Sequence, residues 1–227
     1  MPFWSYILTA VAAYLLGSIP TGFLAAKAKG IDIRAAGSGN IGATNAMRVL
    51  GKPAGVLVLL LDVLKGFAAC YFLPPLIWNW LAPHYSGLFV YFDKASPELQ
   101  MRYYLVAGIF AVLGHNYACW LKFKGGKGIA TTAGVYLALA PWAVLVALAV
   151  FLLAFLLTRY VSVGSILAAA ALPVTVWVMS SQNLPLGIVT TALGALAIYK
   201  HKSNIQRIMN GTENRLGGKP KSAEEKK

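Results

Sequence analysis

Residues 129–157 read IATTAGVYLALAPWAVLVALAVFLLAFLL, and how this run is divided decides the architecture. As one helix it would reach about 43 Å, well beyond a bilayer hydrocarbon core of about 30 Å. Pro141 lies near its middle, where a helix ends or kinks. Two divisions follow. Either the run is one long kinked span, giving six spans in the chain, or it is a tight pair of short helices, giving seven. Outward from it, the other apolar stretches fall at 3–25, 54–81, 103–121, 164–180 and 185–199. Charge separates the two counts. Basic residues gather at 26–52, at 122–128 and from Lys200 onward, and Arg159 adds one more. The 82–102 connection balances Lys94 and Arg102 with Asp93 and Glu98. Seven spans place 17 of the 20 basic residues on the cytoplasmic side, whereas six would put the tail outside. The expected fold is therefore an all-α polytopic integral membrane protein of seven transmembrane helices, with a periplasmic N-terminus and a cytoplasmic C-terminus.

Composition agrees with that class. Of 227 residues, 58% are hydrophobic and 12% charged, about half the charged share of an ordinary soluble domain. This excludes a disordered chain, a disulfide scaffold and most soluble enzymes of this size. The net charge of +13 reads as the positive-inside bias and not as a nucleic-acid surface, because the basic residues lie between apolar runs. The first apolar stretch has no basic residue before Lys27, so it lacks the positive n-region of a cleaved signal and reads as a retained span. Cys70 and Cys119 fall near opposite faces of the bilayer and are expected to be free thiols. No internal repeat is apparent. A single membrane-embedded domain over 1–216 and a polar cytoplasmic tail over 217–227 are expected.

Three polar segments share the predicted cytoplasmic side. The first, GSGNIGATNAMR at 37–48, matches G-x-G-x-x-G, but no strand or βαβ unit surrounds it, so a dinucleotide fold is rejected. Glycines can still turn backbone N–H groups towards an anion, and a helix from Ile41 would put Thr44 and Arg48 on one face beside Asn45. The alternative is a solvated connector. The second segment runs from Gly114-His115-Asn116-Tyr117 to KFKGGKGIATT at 122–132. Its spacing is not that of a Walker loop, yet it offers glycines, Lys127 and a helix start suited to phosphate. The alternative is a basic turn anchored in lipid headgroups, with His115 structural. In the third, HKSNIQR at 201–207, His201, Asn204 and Arg207 recur at helical spacing. Its alternative is a basic cluster on anionic lipid. Within the second span, Asp62 and Lys65 stand i, i+3 apart and can pair, either structurally or to orient the loops. The donors Arg48, Lys127, Lys202 and Arg207 outnumber the carboxylates. The scattered His and Cys form no metal motif. The pattern points to an anionic amphiphile bound at the membrane surface.

GSGNIGATNAMRVLG, GHNYACWLKFKGGKGIATT and HKSNIQRIMNGTE resemble the three signature segments of the bacterial acyl-phosphate:glycerol-3-phosphate acyltransferases, the PlsY family. LDVLKG at 61–66 and SVGSI at 162–166 also resemble family positions, and the likeness runs in order over about 14–216. The resemblance implies a seven-helix enzyme of the bacterial inner membrane whose site faces the cytoplasm. It would transfer a fatty acyl group from acyl phosphate to the 1-hydroxyl of glycerol 3-phosphate, the first acylation of phospholipid synthesis, giving lysophosphatidic acid and phosphate. The catalytic set it implies is Lys127, His201 and Ser38. Substrate would be bound by Thr44, Asn45, Arg48, Gly125, Gly126, Gly128, Ser165, Lys202 and Asn204. The acyl phosphate would lie on the Gly125–Gly128 loop with Lys127, Ser38 and Ser165 nearby, and the glycerol phosphate on Arg48, Asn45, His201 and Asn204. The base is either His201 or a substrate phosphate oxygen. No metal, coenzyme or nucleic acid is expected, and the chain is expected to be a monomer among membrane lipids. The His-x-x-x-x-Asp dyad of thioester-dependent glycerolipid acyltransferases is absent, since Phe89, Trp120 and Gln206 follow the three histidines at that spacing. A transporter is the rival reading. It fits less well because no duplicated halves appear and the polar residues gather at one face.

Overall fold

The computed structural model describes residues 3–85 and 91–215. The tail expected at 217–227, and residues 86–90 of the long connection, lie outside them. The described residues hold eleven α-helices and no strand. They are α1 (Trp4–Gly17), α2 (Thr21–Lys27), α3 (Ala43–Leu50), α4 (Lys52–Tyr71), α5 (Leu73–Tyr85), α6 (Pro97–Asn116), α7 (Ile129–Leu139), α8 (Pro141–Thr158), α9 (Val161–Met179), α10 (Leu184–Lys200) and α11 (Lys202–Met209). Five apolar helical stretches are long enough to cross a bilayer: Trp4–Lys27, Lys52–Leu81, Pro97–Leu121, Pro141–Thr158 and Val161–Met179. A sixth joins α10 to α11 through a 51° bend. The protein is a multi-pass membrane protein.

The 129–157 run divides at Pro141. Ala140 has extended φ and Pro141 opens α8, where its missing N–H costs nothing. The resulting α7 has 11 residues, about 16 Å, roughly half the hydrocarbon thickness. It is held by α4 along its length. Gly66 of α4 lies against the Thr131 carbonyl, and Gly134 of α7 lies against the Val63 carbonyl, so each helix gives a glycine where the other's backbone approaches. The crossing of α1 with α6 repeats the device with Gly17 and Gly114. These crossings fix the ends of α6 and α7, between which the second glycine segment hangs.

The first span is not continuous. It breaks at Ser18-Ile19-Pro20, because Pro20 cannot donate to the preceding turn. The Asp62–Lys65 pair occupies the break. Lys65 Nζ lies 2.8 Å from Asp62 Oδ1 and donates to the Ile19 carbonyl at 2.8 Å, while Thr21 Oγ1 donates to Asp62 Oδ1 at 2.7 Å. Both charges are nearly excluded from solvent, at 1% and 6% exposure, and each has its partner, as a charge within a membrane requires. Cys70 and Cys119 are free thiols in this structure.

Candidate active site

The first glycine segment forms the connection between α2 and α3 and the start of α3. Gly37 and Gly39 have φ of +59° and +71°, which L side chains rarely adopt. Ile33, Ile41 and Ala46 bury themselves against Ala26 and Val58, seating the loop on an apolar patch. Asn45 then fixes its shape. The side-chain carbonyl accepts from the Ser38 N–H at 2.8 Å, and the amide group donates to the carbonyls of Ile33, Ala36 and Asn40 at 3.2, 3.0 and 2.8 Å. Both ends of this side chain are used inside the loop. Ser38 keeps a half-exposed side chain at the tip, and Thr44 and Arg48 follow along α3. A helix precedes this segment, so the match to a dinucleotide fingerprint carries no such fold.

The second segment reverses the chain after α6. A one-turn 3₁₀ helix at Cys119–Leu121 leads into Lys122 and Phe123, both left-handed at φ of +52° and +60°. The returning strand of loop then pairs with the end of α6. Gly125 N–H donates to the Asn116 carbonyl at 3.2 Å and Gly126 N–H to the His115 carbonyl at 3.0 Å. A Cβ on Gly125 would meet the His115 carbonyl, and one on Gly126 the His115 ring. These two glycines are thus needed for close approach, and their amides face inward. The loop presents Lys127, Gly128 at φ +86°, and the start of α7, whose first N–H groups have no partner within the helix.

The third segment meets Lys127. At the bend between α10 and α11, Asn204 Oδ1 accepts from Lys127 Nζ. Its Nδ2 donates to Glu213 Oε1 at 2.7 Å. Ser162 Oγ of α9 donates to the same oxygen at 2.8 Å, and Arg207 Nε to Glu213 Oε2 at 2.7 Å. His201 lies in the bend with its Nδ1 2.7 Å from the Ala197 carbonyl. That acceptor makes Nδ1 the protonated nitrogen and leaves Nε2 with its lone pair.

Electrostatics follow from this crowding. Burial pushes Lys127 down to about 8, and Arg207, Arg48 and Lys200 push the same way against Glu213. Burial also lowers Arg48, with Glu213 opposing and Arg207 adding. Burial lowers His201 to about 4 despite the Ala197 hydrogen bond, so the imidazole is neutral near pH 7. Burial would raise Glu213, but hydrogen bonds from Asn204, Arg207 and Ser162 outweigh it and hold the carboxylate ionised. The result is one carboxylate among several cations, a cluster with unspent positive charge.

The structure brings Lys127, Asn204, His201 and Arg48 into this cluster. Lys202 turns outward onto Tyr199, its ammonium 4.8 Å from the ring centre. Lys200, not singled out in the sequence, donates to the Asn116 carbonyl at 3.1 Å beneath the second loop. Ser165 bonds its own helix, Oγ to the Val161 carbonyl at 2.9 Å, and Ser162 one turn earlier reaches Glu213. Glu213 closes the third segment, HKSNIQRIMNGTE, where spacing gives it no role. Its signal was a lone acid just after a run of basic and amide residues, which no periodicity marks.

The glycerol-3-phosphate acyltransferase family model matches residues 7–211. The chain is 45% identical over 210 residues to a Geotalea daltonii glycerol-3-phosphate acyltransferase, covering 92% of this chain and 97% of that protein. It is 46% identical over 210 residues to the Geobacter sulfurreducens protein of the same name, covering 92% and 96%. It also resembles the crystal structure of PlsY (YgiH), an integral membrane glycerol 3-phosphate acyltransferase, in its glycerol 3-phosphate form. The TM-score is 0.78 at 38% identity, over 94% of this chain and 96% of that one. The lysophosphatidic acid form gives 0.75 at the same identity. Since the family match spans residues 7–211 and so takes in all three polar segments, this chain belongs to the glycerol-3-phosphate acyltransferase family of integral membrane enzymes.

Proposed function

We propose that this enzyme transfers a fatty acyl group from acyl phosphate to the 1-hydroxyl of glycerol 3-phosphate, releasing phosphate and leaving lysophosphatidic acid in the membrane. The observation that carries the reading is the Lys127–Asn204–Glu213 chain, which joins the second and third segments and draws in Ser162 and Arg207. The PlsY relative was crystallised in glycerol 3-phosphate and lysophosphatidic acid forms, which supports these as acceptor and product. The acyl phosphate donor is supported by the missing His-x-x-x-x-Asp dyad and by a site built of phosphate-type cations.

In this reading Lys127 and the start of α7 hold the donor phosphate, and Arg48 with Arg207 holds the acceptor phosphate. Ser38, half-exposed in the first loop, would lie near the donor phosphate. Asn45 acts through the loop it shapes, and Gly125 and Gly126 through the close approach they allow. The acceptor oxygen attacks the carbonyl carbon, the bond from that carbon to the phosphate oxygen breaks, and phosphate leaves with the electron pair. The proton goes to a substrate phosphate oxygen. A phosphate whose second ionisation lies near 6 is a better proton acceptor at neutral pH than an imidazole lowered to about 4. His201 Nε2 orients the hydroxyl as an acceptor. Because the donor is already activated, the protein supplies alignment and charge stabilisation and needs no nucleophile of its own.

The whole of 1–216 acts as one unit, the 217–227 tail being outside it. Seven apolar segments thread the bacterial inner membrane, α7 reaching part way. The N-terminus is periplasmic and the site cytoplasmic, as the distribution of lysines and arginines favours. The enzyme works as a monomer. Purified protein in lipid vesicles, given glycerol 3-phosphate with either palmitoyl phosphate or palmitoyl-CoA, tests the donor. Lysophosphatidic acid forming with equimolar phosphate from the first, and none from the second, is expected. Turnover of the thioester alone overturns the donor assignment.

A further inference from the structure

A buried histidine lies among the polar groups this mechanism does not use. His115, 5% exposed near the end of α6, has one ring nitrogen facing the buried ion pair and the other facing the loop. Nδ1 stands 3.5 Å from Asp62 Oδ1, in charge range but not aligned for a hydrogen bond. On the opposite edge, a Cβ built on Gly126 would land on Nε2 and crowd Cε1 and Cδ2. The His115 carbonyl meanwhile accepts the Gly126 N–H. A continuous stack therefore runs from the Ile19 carbonyl through Lys65, Asp62 and the His115 ring to the backbone beside Lys127. The ring is a spacer whose thickness sets how far the loop stands above the end of the helix.

We propose that His115 is a positioning residue for the Gly125–Gly128 loop, held by the Asp62–Lys65 pair, and that it sets the fit of the donor phosphate without touching it. The substrate named here rests on the reading that the loop holds the acyl phosphate. Asn116 adds to the support, since its side chain lies under Gly128 while its carbonyl takes bonds from Gly125 and Lys200.

A double-mutant cycle on the full-length enzyme in vesicles tests this. Gly126→Ala pushes a methyl into the ring and should lower kcat/KM for palmitoyl phosphate about 100-fold, because a loop displaced by about 1 Å loses its aim. His115→Ala should raise KM for palmitoyl phosphate about tenfold while kcat and KM for glycerol 3-phosphate stay within about twofold. Combining them makes room for the methyl, so the double variant should exceed Gly126→Ala in kcat/KM by about tenfold or more. Additive losses, or equal KM changes for both substrates, overturn the positioning role. Recovery that appears in the KM for glycerol 3-phosphate supports the role and overturns the donor's place on this loop. If Gly126→Ala does not give folded enzyme by thermal unfolding, the KM split of His115→Ala decides alone.

Discussion

Lys127 carries the pH signature of the site. Its ammonium, lowered to about 8 by burial and by Arg207, Arg48 and Lys200, must be charged to hold a phosphate. On the proposed function the protonated form, present below about pH 8, binds the phosphate, and the neutral form above it does not. We therefore expect kcat/KM for acyl phosphate to fall as pH rises through about 8. In Lys127→Arg, where the guanidinium stays charged, that limb should vanish. A profile in wild type that is flat to pH 9.5 would contradict the assignment. His201 makes the opposite kind of prediction. Its neutral ring and fixed tautomer suit a hydrogen-bond acceptor more than a base. His201→Gln should keep the chemical step within about tenfold while raising the KM for glycerol 3-phosphate, as loss of a ground-state contact does. A loss of about 1,000-fold or more in kcat with KM unchanged would make His201 the base after all.

At the scale of elements, the short helix α7 matters because it has little length of its own to hold it. Its place depends on the glycine-to-carbonyl contacts with α4. Gly134→Val should collide with the Val63 carbonyl and cost about 1–3 kcal/mol, read as a lower midpoint of thermal unfolding together with a weakened donor KM. An unchanged midpoint would mean that the crossing bears no load. Sequence made part of this arrangement visible. Pro141 inside a run too long for one span announces its own break. The break at Ser18-Ile19-Pro20 was harder to see, because apolar character is continuous across it and the interruption is repaired by Lys65 and Asp62 from another helix. The site divides similarly. Lys127 and Asn204 lie in glycine- and amide-rich stretches that stand out, and both enter the cluster. Asn45 stands out equally, yet its amide is spent on backbone. Composition cannot tell a side chain that faces a ligand from one that shapes a loop. Glu213 and Ser162 meet only through the tertiary fold, so neither could be ranked from spacing.

For the whole molecule, the account requires one side for all three polar segments. A reporter fused after Lys227 should read as cytoplasmic, and one inserted into the 86–90 connection as periplasmic. Reversal of either would break the proposed threading. On the proposed function, a chain with few carboxylates catalyses group transfer without a covalent intermediate, because cations drawn from distant segments would hold two phosphates near each other at a lipid surface. Lys127 joins the second segment to the third through Asn204, so its removal is the most direct trial. Folded Lys127→Ala enzyme, supplied with palmitoyl phosphate and glycerol 3-phosphate, should make no detectable lysophosphatidic acid, while wild type makes it with equimolar phosphate. Near-normal turnover by Lys127→Ala would contradict the account.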